Sequence, residues 1–66
     1  MKLSPKELHF INAMLLNDEK STDQELITFL EEKFKCSRKI AQKIISKREA
    51  IKNDPLNIEI TNKDLR

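Results

Sequence analysis

Apolar residues recur at helical spacing in three blocks. Leu8, Ile11, Met14 and Leu15, widened by Phe10, form the first stripe. Leu26, Phe29, Leu30 and Phe34, broadened by Ile27, form the second, and Ile40, Ala41, Ile44, Ile45 and Ile51 the third. Each block follows a start signal. Ser4-Pro5-Lys6-Glu7 has the spacing of a capping box with proline at the first helical position, and Leu3 and Leu8 are spaced as a hydrophobic staple across it. Thr22-Asp23-Gln24-Glu25 repeats the box, and Ser37 caps the third block. The first helix is expected from Pro5 to Leu16 or Asn17, with Asn17 to Lys20 as the connection. Pro55 stops the third helix, because it pushes Asp54 away from helical geometry.

Beyond Pro55 the period changes. Leu56, Ile58 and Ile60 alternate with Asn57, Glu59 and Thr61, which predicts one short half-buried strand. Asn62 to Arg66 is expected to be loose. The chain has no glycine, so Asn-Gly hairpins are excluded and helices must end on other residues. Asn17 and Asn53 suit that role because asparagine tolerates the left-handed conformation. The expected fold is mostly α: a three-helix helix-turn-helix bundle over residues 1–55, then a short strand and flexible tail over 56–66. All three phenylalanines are assigned to the core.

Composition removes whole classes of function. A chain of 66 residues makes one domain, and it buries only about 60% of its unfolded surface. Cys36 is the only cysteine and His9 the only histidine, so no internal disulfide forms and no tetrahedral zinc set assembles. Neither metal nor cofactor is expected. No glycine is available for a phosphate loop, and no serine-histidine-acid set stands in a workable frame. Glu31 and Glu32 are adjacent, so a helix points them in different directions. An enzyme is therefore not expected. Met1-Lys2-Leu3 runs straight into Ser4-Pro5 without the apolar core of a signal peptide, and no apolar run approaches a membrane span of about 18 residues. A cytoplasmic protein with a free thiol is the expectation.

The net charge of +2 hides an asymmetry. Between Lys33 and Lys52 stand eight cations against the single acid Glu49, whereas the rest of the chain carries five cations against ten acids. A basic segment in an otherwise acidic domain suits a surface that meets a polyanion, although a solvated helix face has the same composition. Its placement favours the first alternative. Leu30, Phe34, Cys36, Ala41, Ile44 and Ile45 follow the order of a helix, a tight turn and a second helix. Small Ala41 permits close approach of the helix behind it. Ser37 as cap leaves the first amides of the third helix near the surface, where helix N-termini meet phosphates.

The chain here resembles the winged helix-turn-helix family, over Leu3 to about Ile51. The resemblance rests on Leu3-Ser4-Pro5-Lys6-Glu7-Leu8, on Thr22-Asp23-Gln24-Glu25-Leu26, and on the run from Leu30 to Ala41. In that family the third helix reads the major groove. Carried over by position, the resemblance implies Arg38, Lys39, Gln42, Lys43, Ser46 and Lys47 as DNA contacts. Lys35 stands at a turn position where the family often has glycine; a positive φ there would cost a lysine roughly 1 kcal/mol. Only one strand follows the third helix, so the wing is expected to be missing or half-built. That strand is free to pair with the Ser21 region or with its copy in a second subunit.

The expected function is that of a small sequence-specific double-stranded DNA-binding protein, a transcriptional regulator or mobile-element accessory factor. Lys33, Lys35 and Lys52 would hold the backbone, with the Ser37-capped helix start near a phosphate, while Arg38, Lys39, Gln42 and Lys43 would read the groove. One short helix gives modest affinity, so a homodimer or cooperative assembly on DNA is expected. Arg48 suits stem packing as well as it suits phosphate binding, and Ile40 suits the core as well as a thymine methyl. Cys36 reads as a small residue of the turn. Lack of Tyr and Trp argues against a single-strand binder. The alternative is a helical protein-protein interaction module that binds or inhibits a partner through the acidic faces of the first two helices or through an apolar surface left uncovered by the missing wing.

Overall fold

The caps act as their spacing predicts. In a computed structural model describing residues 1–66, Ser4 opens helix α1 (Pro5–Asn17), and its hydroxyl accepts from the Glu7 N–H while the Glu7 carboxylate accepts from the Ser4 N–H. Thr22 and Glu25 close the same reciprocal box at the start of α2 (Asp23–Phe34). Those bonds, the backbone one from Thr22 first, hold the Glu25 carboxyl below its ordinary range. Ser37 opens α3 (Arg38–Ser46), its hydroxyl accepting from the Ile40 N–H at 3.3 Å.

The third helical stretch is not one rod. It breaks at Lys47 (φ −92°, ψ −1°), whose N–H bonds the Ile44 carbonyl at 3.2 Å, and a separate short helix, α4 (Arg48–Asn53), follows. The packing gives the reason. α3 lies chiefly against α2, while α4 lies against α1. A bend at Lys47 lets Ile44 and Ile45 serve the first interface and Ile51 the second. All three are buried, together with Ile11, Leu15, Leu26, Ile27, Leu30 and Ala41. No polar side chain is buried in this core, so none incurs the cost of desolvation without a partner. No helix is long and apolar enough to cross a membrane.

The expected C-terminal strand does not form. Pro55 sits in a turn in which the Asn57 and Ile58 N–H groups both bond the Asp54 carbonyl, and Leu56 is 95% exposed. Ile58 and Ile60 do turn inward, so the alternation is partly kept. No second strand is present to pair with them, and a lone strand leaves its backbone unsatisfied. An asparagine side chain takes that role. The Ile60 N–H donates to Asn12 Oδ1 (2.6 Å) and Asn12 Nδ2 donates to the Ile60 carbonyl (3.1 Å). Asn62 does the same for Leu3, accepting from its N–H at 2.8 Å and donating to its carbonyl at 3.1 Å. Pairing with the Ser21 region is also absent, because the Asp18 carboxylate holds the Ser21 N–H and hydroxyl, both at 2.9 Å.

Nor is the tail loose. Residues Asn62–Leu65 form a 3₁₀ turn, capped by Thr61 and packed on α3, with Leu65 fully buried. The phenylalanines depart from expectation too. Phe10 and Phe29 are 41% and 39% exposed, and with half-buried Phe34 they form a cluster on the α1–α2 seam, the ring centroids of each pair with Phe10 being 6.3 Å apart. The core is filled by Ile and Leu, and the larger rings are left at its rim.

Neither Asn17 nor Asn53 takes the left-handed form. The only residue that does is Lys35 (φ 55°, ψ 35°), which ends α2. A β-carbon is unfavourable there, and glycine relieves it. Lys35→Gly is expected to stabilise the fold by about 1 kcal/mol, read as a raised midpoint in denaturant. A lowered midpoint would mean that the lysine stem is packed against the turn.

Candidate nucleic-acid interface

Packing and amphipathicity aim α3. Ala41 and Ile44 are fully buried and Ile45 nearly so, which turns the opposite side of the helix outward. That outer side carries Arg38, Lys39, Gln42, Lys43 and Ser46, all exposed, with exposed Lys35 and Ser37 just before them in the turn. The helix is nine residues long, about two and a half turns, and the break at Lys47 falls beyond all five. Ile40 is half-buried against the core, which makes it a packing residue.

The ten residues singled out from the sequence separate into two sets. In the first, Lys35, Lys39 and Gln42 make no side-chain hydrogen bond or ion pair within the chain. Ser37 is used as the cap, and Ser46 donates to the Lys43 carbonyl at 2.7 Å. Arg38 pairs with Glu31 at 3.3 Å, but its side chain is 52% exposed, and a surface pair of this kind is worth less than about 1 kcal/mol. It is available for exchange with another anion. Lys43 remains exposed and donates one bond, to the Arg66 main-chain oxygen at 2.7 Å.

The second set has internal work. Lys47 is half-buried and donates to the Glu59 carbonyl (3.2 Å) and to Asp64 Oδ1 and Oδ2 (3.2 and 3.3 Å). Lys52 donates to the Asp18 carbonyl at 2.8 Å, near the C-terminus of α1 where a cation also suits the helix dipole. Lys33 lies over Phe10, its Nζ 5.0 Å from the ring centroid, within cation–π range. Arg48, which is outside the ten, joins Asp23 at 2.9 Å and the Asp18 carbonyl at 3.0 Å, and so ties α4 to the start of α2 and the end of α1. The outward cationic surface is therefore smaller than the charge of the segment suggests.

The acids that draw Lys47 and Arg48 inward are not apparent from the spacing of the basic segment. Asp64 is the clearest case. Burial raises its pKa, but the Thr61 N–H bond and the Lys47 ammonium outweigh burial and hold its carboxyl below the ordinary range. The signal was available: Thr61-Asn62-Lys63-Asp64 repeats the spacing of the boxes at Ser4 and Thr22, and both of its reciprocal bonds form. Cys36 sits in the α2–α3 turn with its thiol on the Leu30 carbonyl (3.5 Å), and burial pushes its pKa up. That disfavours the reactive thiolate.

No protein-family model matches the chain, and no curated protein or solved structure matches it either.

Proposed function

We propose that this protein binds double-stranded DNA by laying α3 in the major groove, as a small regulator or accessory factor that acts by occupancy. One observation carries the reading. Arg38, Lys39, Gln42 and Lys43 share one exposed side of a short helix whose other side is sealed against α2 by Ala41, Ile44 and Ile45, and exposed Lys35 stands in the turn just before it. Such a helix offers long cationic and amide side chains without sacrificing its own packing. Gln42 has the donor–acceptor pair that matches adenine, and Arg38 and Lys39 suit guanine or phosphate. The resemblance of the sequence to winged helix-turn-helix proteins supports the same docking. One helix of this length supports modest affinity, so two copies on neighbouring half-sites are the proposed assembly.

A helical protein-interaction module is the second reading, favoured by the exposed rings of Phe10 and Phe29. Titration of a random duplex pool at several salt concentrations separates the two. A DNA binder loses affinity linearly on a log–log plot against salt, by about 0.9 for each phosphate neutralised. Selecting the bound duplexes is expected to enrich a short motif, and a palindrome if two copies bind. No binding to any duplex at low salt would transfer the function to the phenylalanine seam.

A further inference from the structure

Lys39 and Lys43 stand one turn apart on α3, and Lys47, at the break just past its end, continues their i, i+4 spacing, so the three would form one cationic row. The C-terminal turn interrupts that row by degrees. Lys39 has no partner in the chain. Lys43 is exposed and tethered by one bond to the Arg66 oxygen. Lys47 has both Asp64 carboxylate oxygens and the Glu59 carbonyl within 3.3 Å, which occupies its ammonium. Asp64 is itself held in place by the Thr61 N–H at 2.8 Å, and the turn is anchored by fully buried Leu65. The acid is thus delivered to Lys47 by the fold and does not reach it by chance.

We propose that Asp64 sets the length of the DNA-contacting row: it withdraws Lys47 from the phosphates and so confines the footprint of α3 to the residues up to Lys43. This inference rests on the DNA-binding reading above and adds a residue that shapes the interface without touching DNA. The effect is local. Glu59 carries the same charge close by, but only its main-chain carbonyl meets Lys47, while its side chain makes no bond.

The test is a double-mutant cycle read by the salt dependence of duplex binding. Asp64→Asn keeps an oxygen to accept the Thr61 N–H and removes the charge that holds Lys47. It is expected to steepen the salt slope by about one unit, as one more phosphate is neutralised. Lys47→Ala alone is expected to leave the slope unchanged, and in the Asp64→Asn background it is expected to abolish the gain. Glu59→Gln, with the same change of charge, is expected to leave the slope where it is. Circular dichroism checks that each variant is folded, and Asp64→Ser replaces Asp64→Asn if that variant is not. The inference falls if Asp64→Asn leaves the slope unchanged, if its gain survives loss of Lys47, or if Lys47→Ala flattens the unaltered protein. If the unaltered chain binds with a clear slope in those cases, only the role of Asp64 is lost. Absence of duplex binding by every variant at low salt overturns both the inference and the DNA-binding reading.

Discussion

Leu65→Ala is expected to destabilise the protein by about 2–5 kcal/mol, although it lies next to the last residue of the sequence. The side chain is fully buried and seated in the same cluster as Leu30 and Ile44. Its removal costs both the transfer energy of the missing methyl groups and the cavity left behind. For 66 residues the total stability is on the order of 3–10 kcal/mol, so the change consumes much of the margin. Leu56→Ala supplies the internal comparison. It makes the same chemical change at a position 95% exposed, and is expected to stay within about 0.5 kcal/mol. Urea unfolding of the two variants beside the unaltered protein decides the matter. Equal, small effects would mean that the Asn62–Leu65 turn does not dock on α3.

The second large effect concerns binding. Joint replacement of Lys35, Lys39 and Lys43 by alanine is expected to flatten the salt slope of duplex binding by about three units, near 0.9 for each phosphate left without its cation. All three are exposed; Lys35 and Lys39 make no side-chain bond in the chain, and Lys43 makes one, to the Arg66 main-chain oxygen. The fold is therefore expected to persist, with a circular dichroism spectrum like that of the unaltered protein. Lys2, Lys20 and Lys63 are also exposed, and their joint replacement removes the same net charge from other parts of the surface. That second triple is expected to leave the slope nearly intact. Comparable flattening by both would reduce the interaction to the overall charge of the protein and remove α3 from its centre.

The link between these experiments is the C-terminal turn. It completes the core through Leu65 and trims the cationic row through Asp64, so stability and the proposed footprint share one short segment. Lys35 couples the two properties in a different way. It is both a candidate phosphate ligand and the one residue with a positive φ. Glycine at that position is favourable for the fold but removes a cation from the proposed interface.

Much of the helical framework was legible in the chain because its signals are local. A capping hydroxyl and the acid three residues later meet within a single turn, and an apolar stripe at a 3.6-residue period identifies its own inner face. α1, α2 and the start of α3 follow from these signals directly. The outward set Arg38, Lys39, Gln42, Lys43 and Ser46 follows too, since it is what remains after Ala41, Ile44 and Ile45 are placed inside. The break at Lys47 was not legible. No proline or glycine marks it, and its cause is the need of α3 and α4 to meet different neighbours.

The strand from Leu56 to Ile60 illustrates the same limit. Alternation predicts which side chains turn inward, and Ile58 and Ile60 do so, but a strand requires a pairing partner. Asn12 supplies the hydrogen bonds instead, from 48 residues away. The phenylalanines likewise satisfy a helical period, yet the position of the seam between α1 and α2 leaves Phe10 and Phe29 partly in water.

What the amino-acid sequence determined by itself is the set of helix starts, their apolar faces and the basic outer side of α3. Each depends on residues within one or two turns of one another. Only the tertiary structure decided which cations of the basic segment stay free, because their partners are remote in sequence. Lys47 answers to Asp64, Arg48 to Asp23 and Lys52 to the carbonyl of Asp18. A charge declares its sign in the sequence, but its freedom to meet a ligand depends on what the fold brings beside it.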